Sequence, residues 1–503
     1  MASLREQALA PISRADAERL LPDVSSGRQS VERRVLRARC LKYFESFDLA
    51  WAELSEVLPQ IHDPLLEARV AVDLLHLSYY LVRREDSPRL QKLAEKNAAQ
   101  DAFIQAELQL GISIILTAQN EVTEALVRAR RCEDALQAAP KGRSRDLVAT
   151  RVSRQLAHLL SHSGDYVDAM AAAEATSRNA ARVNDPWEIA WSVYTQGFVH
   201  WMAGRIDQAV EEFTKAEAGL RTYGSSVWRY TCLCLARARM ERGEIADGDR
   251  LARQSATGAA EDHAHLALLR GETDVADRIL SRAPQGFPED EQFRNDVRAI
   301  VRAQKGDPRG GVRMLDEAAK EFEARGMAHW ALGAAVHAAY WRESLVRGGG
   351  AARAVSLVRD VGARGGEGFA YYLPEVAAWL GRSAERDPAS RDLARKIRAR
   401  AEAALRRAKT DSAAAVGSSA LDEATFYLRT VGLTWRELGI LREMELLSRE
   451  GKRLDRASLA ERLGVSPNTL RVHLTRIRAK LDVGEKRGDE VLLSAALTQR
   501  PVA

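Results

Sequence analysis

Residues Trp191–Leu220 decide the fold and read WSVYTQGFVHWMAGRIDQAVEEFTKAEAGL. Apolar residues recur at helical spacing on both sides of Gly204, which can supply a tight turn. Gly197 and Ala209 are small enough to let two helices cross closely, and Phe213 is large enough to fill the wedge between them. The stretch therefore predicts a helix, a turn and a second helix packed back on the first.

The same pattern, two helices joined by a turn that contains glycine, recurs along the chain at steps of 28 to 43 residues. Its turn glycines are Gly164, Gly204, Gly243, Gly271, Gly306 and Gly349. A repeat of this length is typical of arrays of paired helices, in which each pair buries its apolar face against the next. With 14 prolines and 6% aromatic residues in 503, the composition also favours helix over a large β-sandwich or barrel. We predict an all-α fold.

This pattern resembles the tetratricopeptide repeat family, most closely in residues 191–220 and less closely in 150–180. The resemblance implies a right-handed α-solenoid of antiparallel helix pairs with a concave groove for a peptide, small molecule or protein. We divide the chain into the following segments: an N-terminal cap or tail (1–27), the repeat domain (28–408), a linker (409–424) and a small C-terminal helix-turn-helix bundle (425–503).

Charge and composition narrow the function classes. The chain has 75 Lys and Arg against 70 Asp and Glu, a net charge of +5. From Val431 to the C-terminus there are 14 basic and 10 acidic residues, so most of the excess lies in the last domain, which suits an anionic partner. We see neither an apolar run long enough to span a membrane nor a secretory signal, and therefore expect a cytoplasmic protein.

No catalytic motif stands out: we find no P-loop, no dinucleotide-binding glycine pattern, no H-E-x-x-H and no G-x-S-x-G. We therefore predict that the protein is not an enzyme and uses no cofactor.

His158 and His162 have metal-capable spacing, but no carboxylate stands between them, and we interpret them as structural. His263 and His265 fall in a loop-like stretch and are expected on the surface. We predict no metal site.

Aromatic residues in candidate first helices allow two interpretations. In one, they line an effector groove. In the other, they are packing residues, which is favoured for the first four below because they share one narrow helix face. The candidate groove residues are Trp187, Trp191, Tyr194, Trp201, Tyr340 and Trp341.

The C-terminal segment carries the pattern of a helix-turn-helix. Leu459 and Ala460 belong to a short first helix, and Ala460 is small because the two helices cross there. Gly464 can take the positive φ of the turn. Ser466 is a suitable N-cap for the second helix, and Pro467 suits its first position.

The second helix, running to about Leu481, is amphipathic and basic. Its apolar face is Leu470, Leu474, Ile477 and Leu481. The rest of its surface offers amide, guanidinium, methyl and hydroxyl groups suited to base edges, with cations suited to phosphates. The candidate DNA-contacting residues are Asn468, Thr469, Arg471, Val472, Thr475, Arg476, Arg478 and Lys480.

This domain resembles the LuxR-type (GerE-like) DNA-binding domain of bacterial transcription regulators. The resemblance lies in residues 433–437 (LTWRE), 466–473 (SPNTLRVH) and 477–483 (IRAKLDV). It implies base contacts from Arg471, Val472 and Thr475, and backbone contacts from Thr469 and Lys480.

One departure leaves an alternative open. The segment between Glu437 and Ala460 is about six residues longer than in that family. This lengthened segment also resembles the winged-helix domain of OmpR-like regulators. A wing would follow as a hairpin, whereas residues 490–497 (EVLLSAAL) predict a helix and favour the LuxR-like form.

Two functional hypotheses follow. The first is a sequence-specific transcription regulator that binds double-stranded DNA as a homodimer, with its repeat domain sensing an effector. RNA polymerase is a further candidate partner. The second is a helical-repeat scaffold or adaptor whose C-terminal bundle docks a protein.

Overall fold

The computed structural model describes residues 3–26, 30–255, 259–283, 288–346, 348–368, 373–414, 435–450, 454–463, 467–484 and 488–498. Throughout these ranges the chain forms helices and turns and no β-strand. The predicted all-α fold is confirmed. No helix within them is long and apolar enough to cross a bilayer.

Six helices form the N-terminal part. They are α1 (Leu4–Leu9), α2 (Arg14–Ser25), α3 (Val31–Lys42), α4 (Phe47–Val57), α5 (Pro64–Tyr80) and α6 (Ser87–Glu95). Most share one apolar core, in which α5 is buried along almost its whole length. The predicted N-terminal cap or tail, residues 1–27, thus contains two short helices, and both pack against α3.

Sixteen helices follow in the described part of the repeat region. They are α7 (Ala102–Ala118), α8 (Val122–Gln137), α9 (Arg143–His162), α10 (Tyr166–Val183), α11 (Pro186–Met202), α12 (Ile206–Leu220), α13 (Ser226–Glu241), α14 (Ile245–Ser255), α15 (Ala260–Leu269), α16 (Thr273–Arg282), α17 (Pro288–Gln304), α18 (Pro308–Ala324), α19 (Ala328–Leu345), α20 (Ala351–Ala363), α21 (Pro374–Ala384) and α22 (Arg391–Ala414). Successive helices pack as pairs around one continuous apolar core. The chain is an all-α helical-repeat protein.

Helices α11 and α12 show why the repeat folds as predicted. The Asp185 side chain accepts hydrogen bonds from the first turn of α11, and Pro186 occupies its first position. The Phe213 ring is fully buried against Gly197, where an added Cβ would lie 2.7 Å from the ring carbon Cδ1. The two helices cross this closely only because residue 197 has no side chain.

The turns also fall where the spacing predicts them. The glycines at 164, 204, 243, 271 and 306 all have positive φ. At the last turn, predicted over the three glycines 348–350, the left-handed residue is Gly348, with φ of 80°.

Turns far apart in sequence contact one another, so that the stack of helix pairs closes on itself. An added Cβ on Gly204 would lie 2.4 Å from the Gly368 Cα. The amide of Glu367 donates to the Ala203 carbonyl over 2.7 Å. The Arg400 guanidinium of α22 donates to the carbonyl of Gly204. These contacts connect the end of the repeat region to the turn between α11 and α12 in its middle.

A buried chain of alternating charges crosses the N-terminal helices. Arg69 of α5 contacts both Asp73 (Nε–Oδ2, 3.1 Å) and Glu107 of α7. Arg151 of α9 bridges Glu107 (3.2 Å) and Glu188 of α11 (3.5 Å). Burial alone would raise the pKa of Glu107, but the neighbouring guanidinium groups lower it to about 2. Glu107 therefore stays ionised, and the chain of ion pairs connects four helices.

The predicted linker begins inside a helix. Helix α22 continues through Ala414, so residues 409–414 are helical. The rest of the predicted linker lies outside the described residues, and so does the start of the predicted C-terminal domain.

Replacing Gly197 by Ala should lower the stability of the repeat region. The new methyl group would overlap the Phe213 ring, and overpacking of this kind costs about 1–3 kcal/mol. The control is Gly333→Ala in α19, where an added Cβ meets nothing within 4 Å and the loss of a helical glycine should be neutral or stabilising. Urea unfolding of both variants measures the difference. Equal stability of the two would contradict the packing described.

Candidate functional sites in the C-terminal bundle and the repeat interior

Four helices form the described C-terminal bundle. They are α23 (Trp435–Arg449), α24 (Arg456–Arg462), α25 (Pro467–Lys480) and α26 (Asp489–Thr498). Their core contains Leu470, Leu474, Ile477 and Leu481, the predicted apolar face of α25. The four side chains are at most 3% exposed. The amphipathic pattern of the second helix is therefore confirmed.

Helices α24 and α25 follow one another in the chain and contact each other. Asp455 caps α24, because its Oδ1 accepts hydrogen bonds from the amides of Ala457 and Ser458 over 3.0 Å. Ala460 is buried, as expected for a small residue at a helix crossing. The turn itself, with Gly464 and Ser466, lies outside the described residues.

The side of α25 that faces away from this core matches part of the predicted DNA-contact set. Arg471, Val472, Thr475 and Arg476 are all exposed, and Val472 keeps 42% of its surface although it is apolar. The backbone of Asn468 and Thr469 belongs to the first turn of α25, but their side chains lie outside the described residues. Together the four exposed side chains offer two guanidinium groups, a methyl surface and a hydroxyl.

Two predicted DNA contacts are instead engaged within the bundle. Arg478 is only 5% exposed and forms an ion pair with Asp489, the first residue of α26. Burial alone would raise the pKa of Asp489, but hydrogen bonds from Arg456 and Arg478 lower it. Lys480 donates to the buried carboxylate of Glu437 in α23 over 2.7 Å. Both cations form contacts between helices of the bundle, and their role as phosphate contacts stays a prediction.

The end of the bundle bears on the winged-helix alternative. Residues Asp489–Thr498 form α26, which packs against α23. The helix expected at 490–497 is present in place of a hairpin. Within the ranges described for this bundle there is no strand that could form a wing.

The structure puts four of the candidate groove aromatics into side-chain packing. Trp187, Tyr194 and Trp201 are at most 6% exposed. The Trp201 Nε1 donates to the Glu241 carboxylate over 3.0 Å. The guanidinium of Arg154 lies 3.6 Å from the ring centroid of Trp191, which is half-buried. The packing interpretation fits these four residues, and they do not form an open groove.

The other two candidates, Tyr340 and Trp341, are half-buried near the end of α19. The Tyr340 ring packs edge-on against both Trp341 and Trp379. Neither residue lines the cavity that the structure forms inside the repeat region.

This cavity lies among the helices of the repeat region. We call it the central pocket; its volume is about 260 Å³. It is lined by Thr117, Ala118, Asn120, Val122, His162, Tyr230, Glu261, Asp262, His265, Phe293, Asp296, Val297, Ile300, Met327 and Trp330. These residues come from helices or turns between α7 and α19.

The histidines near the pocket were interpreted correctly only in part. His162 Nδ1 accepts a hydrogen bond from Trp330 Nε1 over 2.8 Å, and the His158 ring packs on Phe198. Burial lowers the pKa of His162 to about 4, so its ring is neutral at pH 7. The expectation for His265 is wrong: it lies in α15, is 2% exposed and lines the pocket. Nowhere in the described ranges do three or more potential metal ligands come together.

The three carboxyl groups on the pocket wall differ in their partners. Glu261 pairs with Arg294 over 3.3 Å, and Asp262 pairs with the fully buried Arg237. Asp296 of α17 has no ion pair with any described residue, and its Oδ1 is buried without a hydrogen-bond partner there. Burial raises the pKa of Asp296 to about 7.

Sequence reasoning missed Asp296, although a signal for it exists. Phe293, Asp296, Val297 and Ile300 have the i, i+3, i+4, i+7 spacing of one helix face. An acidic residue inside an apolar stripe is unusual, because burying an unpaired carboxyl group is unfavourable. Such a position is more informative about a site than the aromatic stripe of α11.

Comparisons with known proteins give limited similarity. No protein-family model matches the chain, and no curated protein matches it. A solved Rap protein in complex with competence and sporulation factor is 14% identical, with a TM-score of 0.40, over 70% of this chain and 93% of that one. The apo form of RapI is 16% identical, with a TM-score of 0.35, over 67% and 92%.

The Cut9–Hcn1 hetero-tetramer of the APC/C is 15% identical, with a TM-score of 0.30, over 77% of this chain and 87% of that one. At these TM-scores the likenesses add nothing to the fold assignment, which the helix pairs themselves establish.

Removing the Arg478 side chain should destabilise the C-terminal bundle. The change Arg478→Ala leaves the half-buried Asp489 without one of its two cations, and losing a charged hydrogen bond of this kind costs about 1–3 kcal/mol. The matched variant Arg476→Ala removes an exposed arginine from the same helix and should change stability by less than about 0.5 kcal/mol. Amide hydrogen exchange of α25 and α26 compares the two. A similar effect of both changes would contradict the assignment.

Replacing Asp296 by Asn should stabilise the protein, and more so at higher pH. The folded state holds the Asp296 proton up to about pH 7, whereas the unfolded chain loses it near 3.8. Stability is therefore lost as the pH rises between these values, and Asp296→Asn removes that loss. We expect a gain of the order of 1–3 kcal/mol at pH 8 and a smaller one at pH 5.

Urea unfolding at both pH values measures this gain in stability. The control is Asp134→Asn, which changes an exposed carboxylate of α8. A gain that does not depend on pH would argue against a buried, unpaired carboxyl group at position 296.

Proposed function

We propose that this chain is a sequence-specific DNA-binding transcription regulator whose helical-repeat domain senses an effector. The observation that carries the proposal is the exposed, mixed basic and apolar surface of α25, made by Arg471, Val472, Thr475 and Arg476. This helix is second in a helix-turn-helix pair, the position from which such helices enter the major groove. The excess positive charge of the C-terminal segment supports an anionic partner.

In this proposal, each of the four side chains has a distinct role. Arg471 donates to the acceptor edge of a guanine, Val472 contacts a thymine methyl group and Thr475 bonds an adjacent base edge. Arg476, at the edge of the surface, pairs with a phosphate. Arg478 and Lys480 keep the helix docked on its bundle through Asp489 and Glu437. Binding as a dimer would place two such helices on a two-fold site.

A second candidate is a repeat-based scaffold whose bundle docks a protein. It is favoured by the intramolecular pairing of two predicted DNA contacts, Arg478 and Lys480, which leaves a smaller basic surface. Its exposed Val472 would then be an anchor for a protein partner.

The experiment is selection of sheared genomic DNA by the purified full-length protein, followed by sequencing. We expect one shared motif, and loss of at least about tenfold in affinity for it in the double variant Arg471→Ala/Thr475→Ala, since each base contact contributes about 1–3 kcal/mol. The control is Arg89→Ala/Arg353→Ala, which removes two exposed arginines of the N-terminal and repeat helices.

Uniform binding with no motif, or an equal loss in both double variants, would overturn the regulator proposal. Charge reversal, Arg471→Glu/Arg476→Glu, separates the second candidate, because a partner held by the repeat region should still bind this variant.

A further inference from the structure

Among the described residues, one acidic group of the central pocket has no cationic partner. The described wall of this pocket carries three carboxyl groups and no Lys or Arg side chain. Two of these carboxylates have guanidinium partners, Glu261 with Arg294 and Asp262 with Arg237. The third, Asp296, has none among the described residues. A ligand entering this pocket therefore meets an uncompensated acidic group, which disfavours anions and favours cations.

The surroundings of Asp296 are aromatic and apolar. Phe293 and Ile300 lie one turn before and one turn after Asp296 along α17, and all three line the pocket. The Phe293 ring meets the Trp330 ring edge-on, with centroids 4.9 Å apart. Tyr230 of α13 adds a third ring on the wall, with 39% of its surface exposed. Aromatic faces attract cations and also pack against an apolar body.

The polar groups of the pocket are held in place before any ligand arrives. Trp330 is fixed by its hydrogen bond to His162. Asn120, at the turn between α7 and α8, donates to Gln292 over 3.1 Å. Because these groups are already ordered, a ligand would not have to pay the entropy of arranging them.

The size of the cavity sets the size of the ligand. Its volume of about 260 Å³ is near the lower end of the range for small-molecule sites, roughly 300–1,000 Å³. An extended peptide would need a longer groove. The volume suits a compact molecule that has one charged group and an apolar part about as large as a single ring.

We propose that the central pocket binds a small organic cation, an ammonium group carried on an apolar or aromatic body. The ammonium pairs with the Asp296 carboxylate, and the body lies against Phe293, Trp330 and Ile300. This inference goes beyond the proposed function by naming the chemical class of effector, and it rests on that function only in giving the ligand a regulatory role. Binding itself is independent of DNA.

The test compares three probes that share one body and differ in charge: 2-phenylethylammonium, 2-phenylethanol and phenylacetate. Binding to the full-length protein is followed by saturation-transfer NMR and by the thermal midpoint. We expect the ammonium probe to bind and to raise the thermal midpoint. The alcohol should bind at least about tenfold more weakly than the ammonium, and the carboxylate should bind most weakly of the three. In Asp296→Asn, the preference for the ammonium over the alcohol should disappear.

Two further variants complete the design. Asp134→Asn changes an exposed carboxylate of α8 and should leave binding unchanged. Phe293→Leu should weaken the binding of both the ammonium and the alcohol, because the apolar body that the two probes share lies against this ring. The proposal is overturned if the alcohol or the carboxylate binds as tightly as the ammonium, if Asp296→Asn keeps the preference, or if no probe binds at 10 mM. None of these outcomes would bear on DNA binding by the bundle.

Discussion

Helices of a repeat protein must approach one another closely, and this constraint underlies the whole molecule. No single helix pair has enough apolar surface to form a core, so each pair is stable only when its neighbours cover it. The contact of Phe213 with Gly197 shows how the sequence meets this requirement, with one large ring set against a position that has no side chain. The buried charges from Asp73 to Glu188 extend the same stacking into the N-terminal helices by electrostatic pairing.

The sequence predicted the elements better than it predicted the surroundings of individual side chains. Helical spacing and turn glycines are local signals, and they were sufficient for the all-α fold, the helix pairs and the amphipathic face of α25. Whether a given residue is buried depends on which distant element covers it. His265 was expected on the surface because its own stretch looks irregular, yet it is buried in a helix that lines the pocket. Asp296 escaped notice for a related reason: its significance depends on having no ion-pair partner among the described residues, most of which are distant in sequence.

The C-terminal bundle shows that counting charges does not measure the charge available to a partner. Several of its basic side chains are paired with acidic residues of the same bundle: Arg449, Arg456, Arg462, Arg478 and Lys480. The periodicity of α25 placed Arg471 and Thr475 on its outer surface correctly, because that depends only on the helix and its apolar face. It could not identify Asp489 as the partner of Arg478, since the two residues lie on different helices. The candidate contact surface is accordingly smaller and partly apolar.

The closure of the repeat at Gly204, Glu367 and Arg400 has a consequence for how the chain folds. An open array has contacts only between adjacent repeats, so it can unravel one unit at a time from either end. Here the contacts join positions that are roughly 160 to 200 residues apart in sequence, which raises the contact order of the fold. The loop between those positions must close before the contacts form, so the middle and the end of the repeat should be gained and lost together. A solenoid closed in this way should unfold as one cooperative unit rather than extend or unfold repeat by repeat.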